Sequence, residues 1–109
     1  MAFGRWEGVF AGPAELIPIP EGVILFYGQD CPHCKNVDDF LFQNNIEEKI
    51  KITHLEVYNN QNNQNILAQV IKKCGMQANQ VGVPFLWDGE TCVVGDGSII
   101  EYFENAEGI

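Results

Sequence analysis

Two cysteines with two residues between them stand in Cys31-Pro32-His33-Cys34, shortly after an apolar run. On a helix that spacing brings both sulfurs onto one face, one turn apart, which suits a reversible disulfide; a lone C-x-x-C is also half of a zinc site. The flanking residues choose between them. Val23-Ile24-Leu25-Phe26-Tyr27 is short, β-rich and bounded by Gly28, so it reads as a buried strand. Pro32 suits the first helical position, where its missing N–H would be unpaired in any case. Cys31 therefore falls at a helix N-terminus, where free N–H groups and the positive end of the helix dipole stabilise a thiolate, and Cys34 lies in reach of it. The chemistry this arrangement offers is thiol–disulfide exchange. His33, in the first turn, can donate to the Cys31 thiolate or pair with it as imidazolium. Stabilising that thiolate stabilises the reduced state and makes the disulfide a better oxidant, by roughly 30 mV for each pKa unit. Asp30, beside Cys31, works against this unless it points away.

The rest of the chain must hold these residues. Val37, Phe40, Leu41 and Asn44 fall at helical spacing and Asn44-Asn45 is a natural stop, so a helix is expected over about 32–45. Ile50, Ile52, Leu55 and Val57 predict a second strand over about 51–58. The amide tract Asn59–Asn65 is expected to form a turn and the N-cap of the next helix. Leu67, Val70, Ile71 and Cys74 recur at i, i+3, i+4 and i+7 before Gly75, giving a second helix and its C-terminal glycine. Val81–Trp87 and Glu90–Val94 read as strands joined by an Asp88-Gly89 hairpin turn. Ser98 and Glu101 carry the capping-box pattern, predicting a last helix that starts at Ser98 and buries Ile99, Ile100 and Phe103. The order is β-α-β-α-β-β-α: an α/β domain over 22–109 with a mixed four-stranded sheet and helices on both faces. Residues 1–21, rich in glycine and proline, are expected to be an irregular arm with a short extended piece at Ile17–Ile19, its Phe3, Trp6 and Phe10 covering an edge of the domain.

The 109 residues suffice for one domain with its own core, so the four cysteines are not needed as a scaffold. Cys74 and Cys92 are read as small buried hydrophobes, with a regulatory disulfide or a metal ligand as the alternative. Fifteen Asp and Glu against six Lys and Arg give a net charge of −9, which excludes nucleic acid and anionic membranes as obvious partners. There is no apolar segment of spanning length and no signal-peptide pattern. A cytoplasmic monomer is the expectation, an exported protein the alternative if such a segment has been removed.

The element order, with Cys31-Pro32-His33-Cys34 after the first strand, Val83-Pro84 entering the third and Gly95-Asp96 after the fourth, resembles the thioredoxin superfamily in its short glutaredoxin-like form. The resemblance covers about residues 22–106. It implies a cis Val83–Pro84 bond facing the dithiol, with the Val83 backbone open to an extended substrate segment. The Pro-His dipeptide is similar to that of DsbA-type oxidases. Glutaredoxins hold the carboxylates of glutathione with basic groups and a Gly-Gly-x-Asp stretch. Here Gly28 and Gln29 stand where a lysine often lies, and Val94-Gly95-Asp96-Gly97-Ser98 matches that stretch in part. The amides of Gly95, Asp96 and Gly97 are the remaining candidates for a carboxylate of glutathione as co-substrate; a tight turn explains the glycines as well.

The expectation is a thiol–disulfide oxidoreductase without organic cofactor, acting on protein or small-molecule disulfides. Cys31 is the nucleophile, Cys34 resolves the adduct, Pro32 and His33 set the poise, and Tyr27, Val83, Pro84, Gly95 and Asp96 contact substrate. Trp87 is expected to border the same groove, and His54 to be a structural or surface residue. The rivals are an iron–sulfur or zinc-binding module using Cys31, Cys34 or Cys74, and a redox-inactive interaction domain.

Overall fold

A computed structural model describes residues 17–109; the expectations for Phe3, Trp6 and Phe10 lie outside these residues. Strand β1 (Val23–Tyr27) is followed by helix α1 (Pro32–Gln43), a short 3₁₀ turn (Ile46–Glu48), strand β2 (Ile52–Glu56), helix α2 (Gln61–Lys73) and a second 3₁₀ turn (Ala78–Gln80). Strands β3 (Phe85–Trp87) and β4 (Cys92–Val94) lead to helix α3 (Asp96–Glu107). The sheet runs β2-β1-β3-β4. β1 pairs parallel with β2 from Val23↔Ile52 to Tyr27↔Glu56, and antiparallel with β3 from Ile24↔Trp87 to Phe26↔Phe85.

β1 is apolar throughout because both faces of the sheet are covered. Its Leu25 faces a core made with Val37, Leu41, Leu86, Ile99 and Phe103, under α1 and α3. Ile24 and Phe26 face the opposite core, with Ile66, Val70, Phe85 and Trp87, under α2. Ile17 and Ile19 pack against this second core, and Gln69 Nε2 donates to the Ile17 carbonyl at 2.9 Å. The expected mixed sheet with helices on both faces is thus the observed one.

The local signals of the amide-rich segments hold. Asn44 caps the C-terminus of α1, and the Asn60 side chain accepts from the Asn63 N–H at 2.9 Å as N-cap of α2. Three expectations need correction. β3 starts at Phe85, not Val81, since Pro84 has no N–H for the ladder. The hairpin connection is Asp88–Thr91 rather than two residues, because Asp88 Oδ1 accepts from the N–H groups of both Glu90 and Thr91. α3 starts at Asp96 after Gly95 (φ +95°), so Ser98 lies inside the first turn instead of capping it.

A further correction concerns the other two cysteines. Cys74, at the end of α2, and Cys92, at the start of β4, are joined in a disulfide across 18 residues. Both are half-buried against the α2 core rather than fully buried, and the disulfide held as the alternative is the one formed.

Candidate active site

The site sits where β1 ends. Gly28, Gln29 and Asp30 carry the chain over the sheet edge, with Asp30 in the left-handed region (φ 62°), a conformation Asp tolerates better than most residues. Cys31 is the N-cap of α1 and Pro32 its first residue. The Cys31 sulfur accepts the Cys34 backbone N–H at 3.3 Å, so one of the orphan amides of the helix start is spent on it. Cys31 is half-exposed; Cys34 is buried and free. Burial pushes the Cys34 thiol up to about 12, and its hydrogen bond to Cys31 adds to this, while the Gly28 amide works the other way. The pair is asymmetric: an accessible sulfur beside a buried, protonated one.

The antiparallel strand β3 brings the segment before it to the same point. The Val83–Pro84 bond is cis, and the Cys31 thiol donates to the Val83 carbonyl at 3.9 Å. Pro84 itself is fully buried, so a substrate would meet the Val83 backbone and not the proline ring. The Pro84 carbonyl accepts the Gly95 N–H at 2.9 Å, and Asp96 Oδ1 accepts the Gly97 N–H at 2.8 Å. Two of the amides expected to receive a carboxylate are therefore already occupied within the chain.

His33 is turned differently from the expectation. Its Nδ1 lies 3.0 Å from Asp96 Oδ2 and the ring is mostly exposed. Asn36 Nδ2 donates to the same Oδ2 at 2.7 Å. These two bonds, Asn36 first, hold the Asp96 carboxyl down at about 2. The acidic first turn of α3 thus captures the imidazole that Cys31 was expected to engage, and clasps α1 to α3.

A cleft of about 550 Å³ opens at Cys31, lined by Tyr27, Gly28, Gln29, Asp30, Pro32, Cys34, Lys35 and Asp38. A second cleft of about 600 Å³ adjoins it through Tyr27 and Asp38 and carries Phe42, Glu47, Glu48 and His54. Trp87, expected at this surface, is buried in the α2 core. His54 bonds Glu47 Oε1 at 2.9 Å.

Sequence reading missed Glu56 and Tyr58. The Glu56 carboxylate accepts the backbone N–H groups of Gln29, Tyr58 and Asn59, each at 2.9 Å, tying the loop after β1 to the loop after β2. The Tyr58 ring packs on Gly28, where any Cβ would overlap it. The available signal was parallel pairing itself: residues that follow a parallel neighbour's strand arrive beside those that follow the first.

Among the described residues no three His, Cys, Asp or Glu side chains converge as a metal site. Cys74, bonded to Cys92, is no ligand to the Cys31–Cys34 pair.

No protein-family model matches the sequence, and no curated protein matches it. Solved structures do match in fold, glutaredoxins among them. A buckwheat glutaredoxin in complex with glutathione is 18% identical, with a TM-score of 0.57 over 89% of this chain and 79% of its own. A wheat glutaredoxin is likewise 18% identical, at 0.57 over 89% and 81%. The holo form of glutaredoxin C1 from Populus tremula x tremuloides is 17% identical, at 0.56 over 88% and 87%. The class defined here is an α/β thioredoxin-like fold with two free cysteines close together at a strand-to-helix junction. Within that class, glutaredoxins are among its structural neighbours, and the likeness is one of fold.

Proposed function

We propose that this protein exchanges electrons between its Cys31–Cys34 dithiol and the disulfides or thiols of proteins and small molecules. The observation that carries the reading is the asymmetry of the pair: Cys31 accessible at the helix start with an amide on its sulfur, Cys34 buried behind it. In the reductive direction the Cys31 thiolate attacks a substrate disulfide. One S–S bond breaks, a Cys31–substrate S–S bond forms, and one thiolate leaves with a proton from solvent. Cys34 then loses its proton and attacks Cys31; the second substrate thiolate departs and the Cys31–Cys34 disulfide remains. The substrate gains two electrons and the protein loses two. With a substrate dithiol the same steps run backwards.

Fold kinship with the glutaredoxins makes glutathione a candidate thiol, but the occupied amides of Gly95 and Gly97 and the carboxylates of Asp30 and Asp38 at the cleft favour other disulfides. The finer likeness to DsbA-type oxidases would rest on an imidazole acting on Cys31, and His33 is bonded to Asp96. The reading supported best is therefore a general dithiol–disulfide exchanger. Insulin reduction by dithiothreitol tests it: Cys31→Ser abolishes the protein's acceleration, and Cys34→Ser leaves a stable mixed disulfide on Cys31 that mass spectrometry detects. Equal acceleration by wild type and Cys31→Ser would end the proposal.

A further inference from the structure

Two clefts meet along α1, and the exchange chemistry occupies one of them. The second, of about 600 Å³, shares Tyr27 and Asp38 with the cleft at Cys31 and is walled by α1, the first 3₁₀ turn and β2. Its lining is of two kinds. Tyr27, Leu41 and Phe42 supply apolar surface, and Phe42 leaves 84% of its side chain's surroundings to water, unlike the buried Leu41 beside it. Asp38, Glu47 and Glu48 supply carboxylates. Among the described lining residues only His54 can turn positive, and its Nε2 already lies 2.9 Å from Glu47 Oε1. Desolvation raises the Asp38 carboxyl above its ordinary value, and Glu47 and Asp39 add to this against His54 and Lys35, so Asp38 gains from an incoming cation. The side chain that matches such a cleft has an apolar stem and a positive end. Arginine and lysine lay their methylenes on apolar surface while the head stays among charges, and an aromatic face attracts that head further. A second copy of this chain, itself at −9, is a poor match.

We propose that this second cleft is a substrate subsite, holding an arginine or lysine of a polypeptide whose disulfide is under attack at Cys31. This rests on the exchange reading and names its class of substrate, a protein with its reactive disulfide in a basic segment. The reach is suitable. Cys34, Asp38 and Phe42 follow at i, i+4 and i+8 on α1, so they form one stripe leading from the dithiol to the far cleft. That stripe is about 12 Å long, a distance that about four residues of extended peptide cover. The basic residue therefore lies about four positions from the substrate cysteine.

Two peptides test this, each with a central cysteine held as its mixed disulfide with thionitrobenzoate. One has arginine four residues to either side; the other has citrulline, which keeps the shape and loses the charge. In the reaction Cys31 and Cys34 give up two electrons and become the disulfide, while the peptide thiol and coloured thionitrobenzoate are released. Reduced wild type is expected to react with the arginine peptide about fivefold faster. Glu47→Gln with Glu48→Gln brings that ratio below about twofold, and Phe42→Ser, at a position too exposed to matter to the core, lowers it to about half. Glu90→Gln with Glu101→Gln removes as many charges from positions that line neither cleft and leaves the ratio unchanged. Binding is read apart from chemistry by NMR titration with the same peptides carrying serine for cysteine. The arginine peptide is expected to shift the amides of Phe42 and Glu48, and the citrulline peptide to leave them in place. Equal rates for the two peptides, or the same loss of ratio in both charge-removed variants, would overturn the subsite and leave the exchange reading intact. Shifts at Phe42 and Glu48 that grow with protein concentration alone would give the cleft to a second copy and overturn it as well. If arginine-dependent shifts appear but neither peptide reacts faster with wild type than with Cys31→Ser, the exchange reading fails and the subsite stands.

Discussion

At the scale of single residues, the two titrating groups that matter pull in opposite directions. Cys34 is pushed up to about 12 by burial, so in the exchange proposed above it would stay a thiol until Cys31 had been captured and its own proton could leave. Asp96 is held at about 2, against an ordinary 3.8, by the donors Asn36 and His33. A carboxyl whose folded value is depressed contributes stability in full above its unfolded value and loses it as pH falls through the folded one. The clasp between α1 and α3 is therefore intact above about pH 4 and released toward pH 2. Asp96→Asn, which removes the charge and keeps the shape, is expected to lower the melting temperature at pH 6 and to flatten the wild-type fall between pH 4 and pH 2. Circular dichroism melts across that range check this, and parallel curves for the two proteins would contradict it. The same comparison at pH 6 shows whether freeing His33 from Asp96 alters the insulin-reduction rate.

At the scale of elements, the Cys74–Cys92 disulfide links the end of α2 to β4, at the end of the β3–β4 ladder away from Pro84 and Gly95. Closing an 18-residue separation removes unfolded-state entropy worth about 3 kcal/mol. Cys74→Ala with Cys92→Ala is expected to lose about that much in a denaturant titration while retaining insulin reduction, since Cys31 lies at the other end of the ladder. Spacing made most elements readable. β1 declared itself by an apolar run that both cores require, α1 by Pro32 and by Asn44, and α2 by its period and by Asn60. What escaped was settled by partners distant in the chain. Ser98 has a capping pattern, yet α3 begins earlier at Gly95, whose N–H is already bonded to Pro84. Cys74 and Cys92 read first as small buried hydrophobes, with a disulfide only as the alternative, because nothing local in either segment shows that α2 and the β3–β4 hairpin share a face. The site was legible as far as Cys31, Pro32 and Cys34, whose positions follow from one strand-to-helix junction. The His33–Asp96 bond and the approach of Tyr58 to Gly28 depend on packing across the sheet.

At the scale of the whole molecule, charge is expected to set which disulfides would arrive quickly in the proposed exchange. The chain carries −9, and the carboxylates of Asp30 and Asp38 line the cleft at Cys31, with Glu47 and Glu48 in the adjoining one. Lys35, the cation among the residues lining that cleft, is held by Asp39 at 2.9 Å and so offers little to an incoming anion. An anionic disulfide therefore approaches against the field and a cationic one with it, and salt screens both over a Debye length of about 8–10 Å at physiological ionic strength. Oxidised glutathione, a dianion overall at neutral pH, is expected to react with the reduced pair faster as salt rises from about 20 to 200 mM. Cystamine, a dication of similar chemistry, is expected to react more slowly over the same range, each by a few-fold. Stopped-flow oxidation followed by tryptophan fluorescence or thiol loss measures both. Opposite salt slopes would show that the acidic surface selects among disulfides by encounter; equal slopes would mean that it does not reach the sulfur, and specificity would then have to lie in contacts with the Val83 backbone and the walls of the Cys31 cleft.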